Sequence, residues 1–310
     1  MWACGYNGYG QIGNGATPSA SVFYSTPIQV GSLTNWKQIA VGYYHTMAIK
    51  TDGTLWEWGY NVYGQLGNGL TADISSPIQV GSLTDWKQVS GGAYYTAAVK
   101  TDGTLWTWGR NDQGQLGNSS TAVNLSSPLQ VGSLTTWKQV ACGVSHTMAI
   151  KTDGTLWAWG QDGYGQIGDG TTVNKSTPIQ IGTLTNWKQV SAGYQHTMAI
   201  KTDGTLWAWG QNNLFNITFY GQLGLSDSVN RSSPVQVGSL TNWKQVSGGA
   251  VHTAAVKTDG TLWTWGGGSY GQLGNTTADR SSPVQLGTLT NWKQVAGAFV
   301  TAAISSPDLP

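Results

Sequence analysis

Four histidines, His45, His146, His196 and His252, occupy one position of a recurring pattern, where Tyr95 and Val300 stand in two further copies. Equivalent histidines on a ring could ligate a metal. Neighbouring sheets pack about 10 Å apart, however, and a metal needs its nitrogens at about 2 Å, so these rings should not converge on one ion. One structural hydrogen bond per copy is the expected role. Gly8–Gly13 and Gly163–Gly168 both match G-x-G-x-x-G. A dinucleotide site needs a strand before this motif and a helix after it. No helical periodicity follows either match, so turns are expected. Gly267-Gly268-Ser269-Tyr270-Gly271 matches G-x-S-x-G but lacks the strand-to-helix context of a nucleophile elbow. Glu57 is the only glutamate, and Asp52, Asp102, Asp153, Asp203 and Asp259 sit where hairpin turns need Asp. No pair of acids is left for acid–base work. The sequence therefore assigns no catalytic, cofactor-binding or metal-binding residue, and no enzyme activity is expected.

Composition narrows the partners. Charged residues make up 9% of 310 residues and the net charge is +1, with no basic block. Nucleic acid and anionic membranes select clustered Lys and Arg, so neither is expected as a partner. No apolar run approaches the roughly 18 residues of a membrane span, so membrane insertion is not expected. The start, Met-Trp-Ala-Cys-Gly, has neither the basic nor the apolar region of a secretory signal. Two cysteines, Cys4 and Cys142, do not make a disulfide framework.

Tandem repetition sets the elements that position these residues. Trp-x-Trp-Gly or a near match starts at Trp2, Trp56, Trp106, Trp157, Trp207 and Trp263. Pro-x-Gln starts at Pro27, Pro77, Pro128, Pro178, Pro234 and Pro283, and Trp-Lys-Gln at Trp36, Trp86, Trp137, Trp187, Trp243 and Trp292. Eleven of twelve lysines sit in Trp-Lys-Gln or Lys-Thr-Asp-Gly, and Lys175 is the exception. Each copy reads as four short strands. Strand a is Lys37–Ala40. Strand b is His45–Lys50, with Met47 and Ile49 on one face. Asp52-Gly53 forms a two-residue hairpin loop. Strand c is Thr54–Trp58, and strand d is Ile78–Val80.

Such a meander exposes too many tryptophans to be stable alone, and stacking six of them round an axis buries them. The expected fold is therefore all-β: residues 1–310 form a single six-bladed β-propeller of four-stranded antiparallel blades. The chain starts in a strand c (Met1–Gly5) and its last strand is a strand b (Thr301–Ile304). Pairing these two should complete a blade and close the ring. Cys4 fills a tryptophan slot and is expected to be buried.

The runs Leu55–Gly67 (Leu-Trp-Glu-Trp-Gly-Tyr-Asn-Val-Tyr-Gly-Gln-Leu-Gly) and Val140–Ala149 (Val-Ala-Cys-Gly-Val-Ser-His-Thr-Met-Ala) resemble the repeats of the regulator of chromosome condensation family. The resemblance covers nearly the whole chain and implies a β-propeller. The founding member has seven blades and is a nucleotide-exchange factor for a small GTPase. Another relative is a secreted bacterial β-lactamase inhibitor. Copies this regular are similar to repeats of bacterial surface and bacteriophage structural proteins.

The functional expectation follows from which loops vary. The a–b and c–d loops share one face of the disc, and they differ between copies, whereas the Thr-Asp-Gly-Thr turns hardly change. The varying face is rich in Tyr, which offers large contact area at low entropy cost. Two copies carry extra residues in the c–d connection, around Ser19–Tyr24 and at Asn212–Tyr220. The expected partner-binding residues are Phe23, Tyr24, Tyr60, Tyr94, Arg110, Phe215, Phe219 and Tyr220. The reading is a non-catalytic binding or structural module of a bacteriophage virion or bacterial surface, contacting other subunits or a receptor. A glycan is the second class of ligand considered. The alternative is a regulator of a small GTPase or a protein inhibitor of an enzyme, located in the cytoplasm.

Overall fold

The computed structural model describes residues 1–16, 18–19, 22–32, 34–213 and 220–306. The chain divides into two compact units, Met1–Ser145 and His146–Pro310. The described residues contain strands and turns and no helix.

The first unit begins with β1 (Trp2–Tyr6) paired to β2 (Phe23–Gln29). Two complete meanders follow: β3 (Trp36–Val41), β4 (His45–Lys50), β5 (Leu55–Gly59) and β6 (Ile74–Gln79), then β7 (Trp86–Gly91), β8 (Tyr95–Lys100), β9 (Leu105–Gly109) and β10 (Leu125–Gln130). β11 (Trp137–Cys142) ends this unit. The second unit opens with β12 (His146–Lys151), β13 (Leu156–Gly160) and β14 (Lys175–Gln180). It continues with β15 (Trp187–Ala192), β16 (His196–Lys201), β17 (Leu206–Gly210) and β18 (Arg231–Gln236), then β19 (Trp243–Gly248), β20 (His252–Lys257), β21 (Leu262–Gly266) and β22 (Arg280–Gln285). β23 (Trp292–Gly297) and β24 (Thr301–Ser305) form a final pair.

Each core lies between successive blades. Met47, Ile49 and Leu55 of one blade pack with Trp86, Val89, Ala98 and Trp108 of the next. In the second unit, Met198, Ile200 and Leu206 do the same with Trp243, Val246, Ala255 and Trp265. Strand b is therefore covered on both faces, which is why β8, β12, β16 and β20 are buried along their whole length. Each buried tryptophan removes roughly 150–250 Å² from water, a gross gain of about 4–6 kcal/mol before ordering costs.

Polar side chains fix the spacing of blades. The Gln38 carboxamide donates to Val89 O (3.0 Å) and accepts from Val89 N (3.3 Å). Gln88 does this with Val140, Gln189 with Val246 and Gln245 with Val295. The histidines make the hydrogen bonds expected of them, each to the threonine of the next blade. His45 Nε2 lies 3.0 Å from Thr96 Oγ1, His146 3.1 Å from Thr197, His196 3.1 Å from Thr253 and His252 2.9 Å from Thr301.

The constant turn is one device repeated. Asp52 Oδ1 accepts from the Thr54 amide (3.0 Å) and hydroxyl (2.7 Å), and Thr54 Oγ1 accepts from Trp56 Nε1 (2.8 Å). Those bonds hold the Asp52 carboxyl below its ordinary range. Lys50 Nζ sits 3.5 Å from the Trp56 ring centroid, a cation–π contact that explains a buried lysine. Gly53 has φ +80°, and its carbonyl accepts from Trp86 N of the next blade. The hairpin tip thus seats on the neighbouring d–a loop, so both segments stay constant in sequence.

Several expectations need correction. Strand d starts earlier than the aliphatic run suggests, because Ile74 already pairs with Gly59 and the ladder passes the proline through an irregular register. Phe23 and Tyr24 lie in β2, opposite Tyr6 and Gly5, rather than in a loop. Cys4 is exposed, not buried. Its counterpart Trp58 is buried under the loop of the preceding blade, with Trp58 Nε1 donating to Gln11 O (3.0 Å). Cys142 is buried and its thiol is pushed up to about 12 by that burial. β1 pairs with β2 and β24 with β23, in separate two-stranded sheets. Trp2 is accordingly 66% exposed.

Candidate functional site: an aromatic face on the first unit

The loop after strand c is organised by a buried asparagine. Asn61 Oδ1 accepts from Leu66 N (2.9 Å), and its Nδ2 donates to Leu70 O (3.1 Å) and Ala72 O (3.0 Å). Its amide donates to Asp73 Oδ1 (2.8 Å), and Gln65 Oε1 accepts from Tyr63 N (3.0 Å). Burial raises the Asp73 carboxyl. This frame fixes Tyr60 and Tyr63 on either side of Asn61. Asn7 does the same for Tyr6 and Tyr9, with Ile12 N donating to Asn7 Oδ1 (3.0 Å) and Tyr9 N to Gln11 Oε1 (2.9 Å). The a–b loop is tied to it, since Tyr60 N donates to Tyr44 O and Arg110 N to Tyr94 O, each at 2.9 Å.

Three repeat positions consequently meet at two blade junctions of the first unit: the residue before Gly-Gln of one copy, and the residues before strand b and after strand c of the next. At the first junction these are Tyr9, Tyr44 and Tyr60, with ring centroids 5.2 Å (Tyr9–Tyr44), 4.7 Å (Tyr9–Tyr60) and 6.1 Å (Tyr44–Tyr60) apart. At the second they are Tyr63, Tyr94 and Arg110. The tyrosine rings are 5.2 Å apart, and the guanidinium lies 5.3 and 5.6 Å from them. Arg110 also bonds Asp112 at 2.6 Å. The junctions are joined through Tyr60–Tyr94 (5.8 Å) and Tyr44–Tyr94 (5.9 Å). All six side chains are half-buried, packed on one another yet open to solvent. Burial raises the Tyr60 and Tyr94 phenols, so both stay protonated at neutral pH.

Of the residues expected from sequence, Tyr60, Tyr94 and Arg110 come together in this surface. Phe23 reaches it through Tyr6, at 5.0 Å from Tyr6, which is 6.0 Å from Tyr9. Tyr24 does not join it, and its hydroxyl accepts from Asn14 Nδ2 (2.8 Å) within its own loop. Phe215 and Phe219 lie outside the described residues. Tyr220 belongs to the second unit, where the same three positions hold Tyr220, Val251 and Gly267. A methyl on Gly267 would fall 2.9 Å from Val251 Cγ2 and 3.0 Å from Tyr220 Cδ1.

Tyr9, Tyr44 and Tyr63 were missed. The residue before Gly-Gln is Tyr in five of six copies, so it reads as scaffold. The second unit also holds a cavity of about 560 Å³ beside Leu225, Trp243 and Trp263. Its Arg231 is paired with Asp227, and Ser226 with Ser282, leaving it without the convergent free polar groups of a small-molecule site.

Two sequence profiles described as the regulator of chromosome condensation (RCC1) repeat match this chain. One covers residues 1–49, 52–99, 102–150, 153–200 and 259–304. The other covers 36–65, 86–115, 137–166, 187–222 and 243–272. The ultraviolet-B receptor UVR8 of Arabidopsis thaliana is 37% identical over 276 residues, 88% of this chain and 50% of that protein. The probable E3 ubiquitin-protein ligase HERC3 of Homo sapiens is 41% identical over 243 residues, 77% of this chain and 23% of that protein. The chain thus spans half the length of one relative and about a quarter of the other, and the ligase match is confined to that part. Yeast RCC1 (Prp20), crystallised with Kap60, superposes with a TM-score of 0.81 at 19% identity, over 99% of this chain and 76% of that one. The chain belongs to the regulator of chromosome condensation repeat family and has that family's β-propeller fold.

Proposed function

We propose that this chain is a non-catalytic protein-binding propeller whose contact surface is the tyrosine face of the first unit. The carrying observation is the confluence of Tyr9, Tyr44, Tyr60, Tyr63 and Tyr94 with Arg110 into one continuous solvent-facing patch. Tyr and Arg anchors dominate interface energetics. The solved structures of yeast Prp20 include one bound to Kap60, which supports protein contact as a use of this fold. The proposed setting is a bacteriophage particle or a bacterial surface. A photo-crosslinking residue placed at Val62, exposed beside Tyr60 and Tyr63, is expected to trap a protein partner. Tyr60→Ala with Tyr94→Ala should abolish the adduct while thermal unfolding stays cooperative. Crosslinking that survives the double substitution would overturn the site. An adduct with a cytosolic protein, identified by mass spectrometry, would overturn the setting.

The reading includes a six-bladed ring made from both units, closed by β1 and β24. Supporting it, each of these strands has one unpaired edge, and the complete blades give the register. Thr46 faces Trp58 there, which places Thr301 opposite Cys4. Cys4 is exposed and free. In Thr301→Cys, oxidation is expected to give an intramolecular disulfide, since paired strands bring Cα atoms within the 4.4–6.8 Å a disulfide needs. Disulfide-linked dimers, or no bond at all, would rule the closed ring out.

A further inference from the structure

The phenols of Tyr9, Tyr60, Tyr63 and Tyr94 make no hydrogen bond among the described residues, and each can donate to or accept from a partner. Arg110 adds further N–H groups beyond the one held by Asp112. Every lysine of the first unit stands in Trp-Lys-Gln or Lys-Thr-Asp-Gly, at the opposite ends of the strands from these loops. The face is therefore aromatic, rich in available O–H and N–H donors, and nearly uncharged.

A ligand that complements it offers apolar bulk and carbonyl acceptors and carries no strong charge. A polyproline II segment meets each condition. Proline has no amide hydrogen, its ring stacks on aromatic faces, and the carbonyls of the extended helix are left free. It is also pre-ordered, so little entropy is lost on binding. The rings form a compact patch: Tyr9 lies 4.7 Å from Tyr60, and Tyr60, Tyr94 and Tyr63 lie 5.2–6.3 Å from one another, an extent of about three residues at 3.1 Å each. An aromatic cage for a methylated cation does not fit, because rings this close leave no gap between them.

Resting on the protein-binding reading above, we infer that the partner segment docked on Tyr9, Tyr60, Tyr63, Tyr94 and Arg110 is proline-rich and extended. Fluorescence anisotropy with labelled decaproline is expected to show saturable binding to the full chain, with a Gly-Ser decamer as control. Tyr60→Ala with Tyr94→Ala should weaken it at least tenfold. Tyr60→Phe with Tyr94→Phe, which keeps the rings and removes two donors, should weaken it less but measurably. Raising NaCl to 0.5 M should leave affinity within twofold, because no ion pair is involved. No binding of decaproline at millimolar concentration would overturn the inference. So would binding unchanged in the Ala variant, or binding of a neutral glycan such as maltoheptaose in its place. If decaproline fails while the Val62 adduct still forms, the partner class is wrong and the surface stands. If both fail, the surface itself is wrong.

Discussion

Between pH 7 and pH 5 the four histidines together are expected to remove on the order of 7 kcal/mol of folding free energy. Burial lowers His45, His146 and His196 to about 3 and His252 to about 4, from an ordinary 6.5. The geometry gives the cause. Thr96 donates its own hydrogen to Gln65 O (2.9 Å), so it accepts from His45 Nε2–H. Thr197 and Thr253 donate likewise to Gln166 O and Gln222 O, each at 2.8 Å. Nδ1 of His45, His196 and His252 is buried with no partner among the described residues, so a proton added there meets no acceptor among them. The sign follows: the unfolded chain binds protons below about 6.5 and the folded chain does not, so stability present above pH 6.5 falls as pH drops towards 3–4. Each histidine costs about 2 kcal/mol at pH 5, and a typical domain has only 5–15 kcal/mol in total. Urea titrations between pH 7 and 5 should show a slope about one proton smaller in His45→Tyr, which copies Tyr95, than in the parent chain. An unchanged slope would mean that His45 is not held neutral. Glu57 and Asp162 work in the opposite direction and offset part of the histidine cost. Burial holds the Glu57 carboxyl well above the ordinary range and raises Asp162 to about 7, so their penalty is absent in acid and grows as pH rises above the ordinary carboxylate range.

Gly103→Ala is expected to cost roughly 2–5 kcal/mol at neutral pH. Two costs combine. A left-handed backbone costs a non-glycine residue about 1–2 kcal/mol, and Gly103 has φ +80°. The added carbon would also fall 2.1 Å from Thr135 O of the following loop, a backbone atom that cannot rotate away. Gly132→Ala is the control. Its φ is +61° with nothing within 4 Å, so only the first cost applies. Chemical unfolding should separate the two variants by at least 1 kcal/mol, and equal losses would show that the hairpin tip does not bear on its neighbour.

What was legible in the sequence is whatever one repeat decides alone. His45–Lys50 is the observed β4, the Asp-Gly turns form where expected, and His45 makes the hydrogen bond expected of it. What was illegible needs two repeats at once. Tyr9, Tyr44 and Tyr60 are far apart in sequence and meet only because consecutive blades bring different positions of the repeat to one junction. Lys50 reads as a solvated charge until Trp36 and Trp56 are seen to enclose it. Cys4 reads as core because its slot is core elsewhere, but burial of that slot comes from a preceding loop and not from the residue. The onset of strand d was hidden by a proline, which usually ends a ladder and here sits within one.

The boundary of a folded layer and the boundary of a copied segment do not coincide in this chain. Met47 and Ile49 find their apolar cover on Val89 and Trp86, one repeat further along, and Gln38 finds its backbone partner there too. Every contact surface is thus half of a complementary pair whose other half the same stretch of sequence also encodes. A segment of one repeat's length, duplicated in tandem, carries a socket on one side and the matching plug on the other, whichever residue the duplication happens to begin with. Growth by copying therefore needs no compensating change at the new seam.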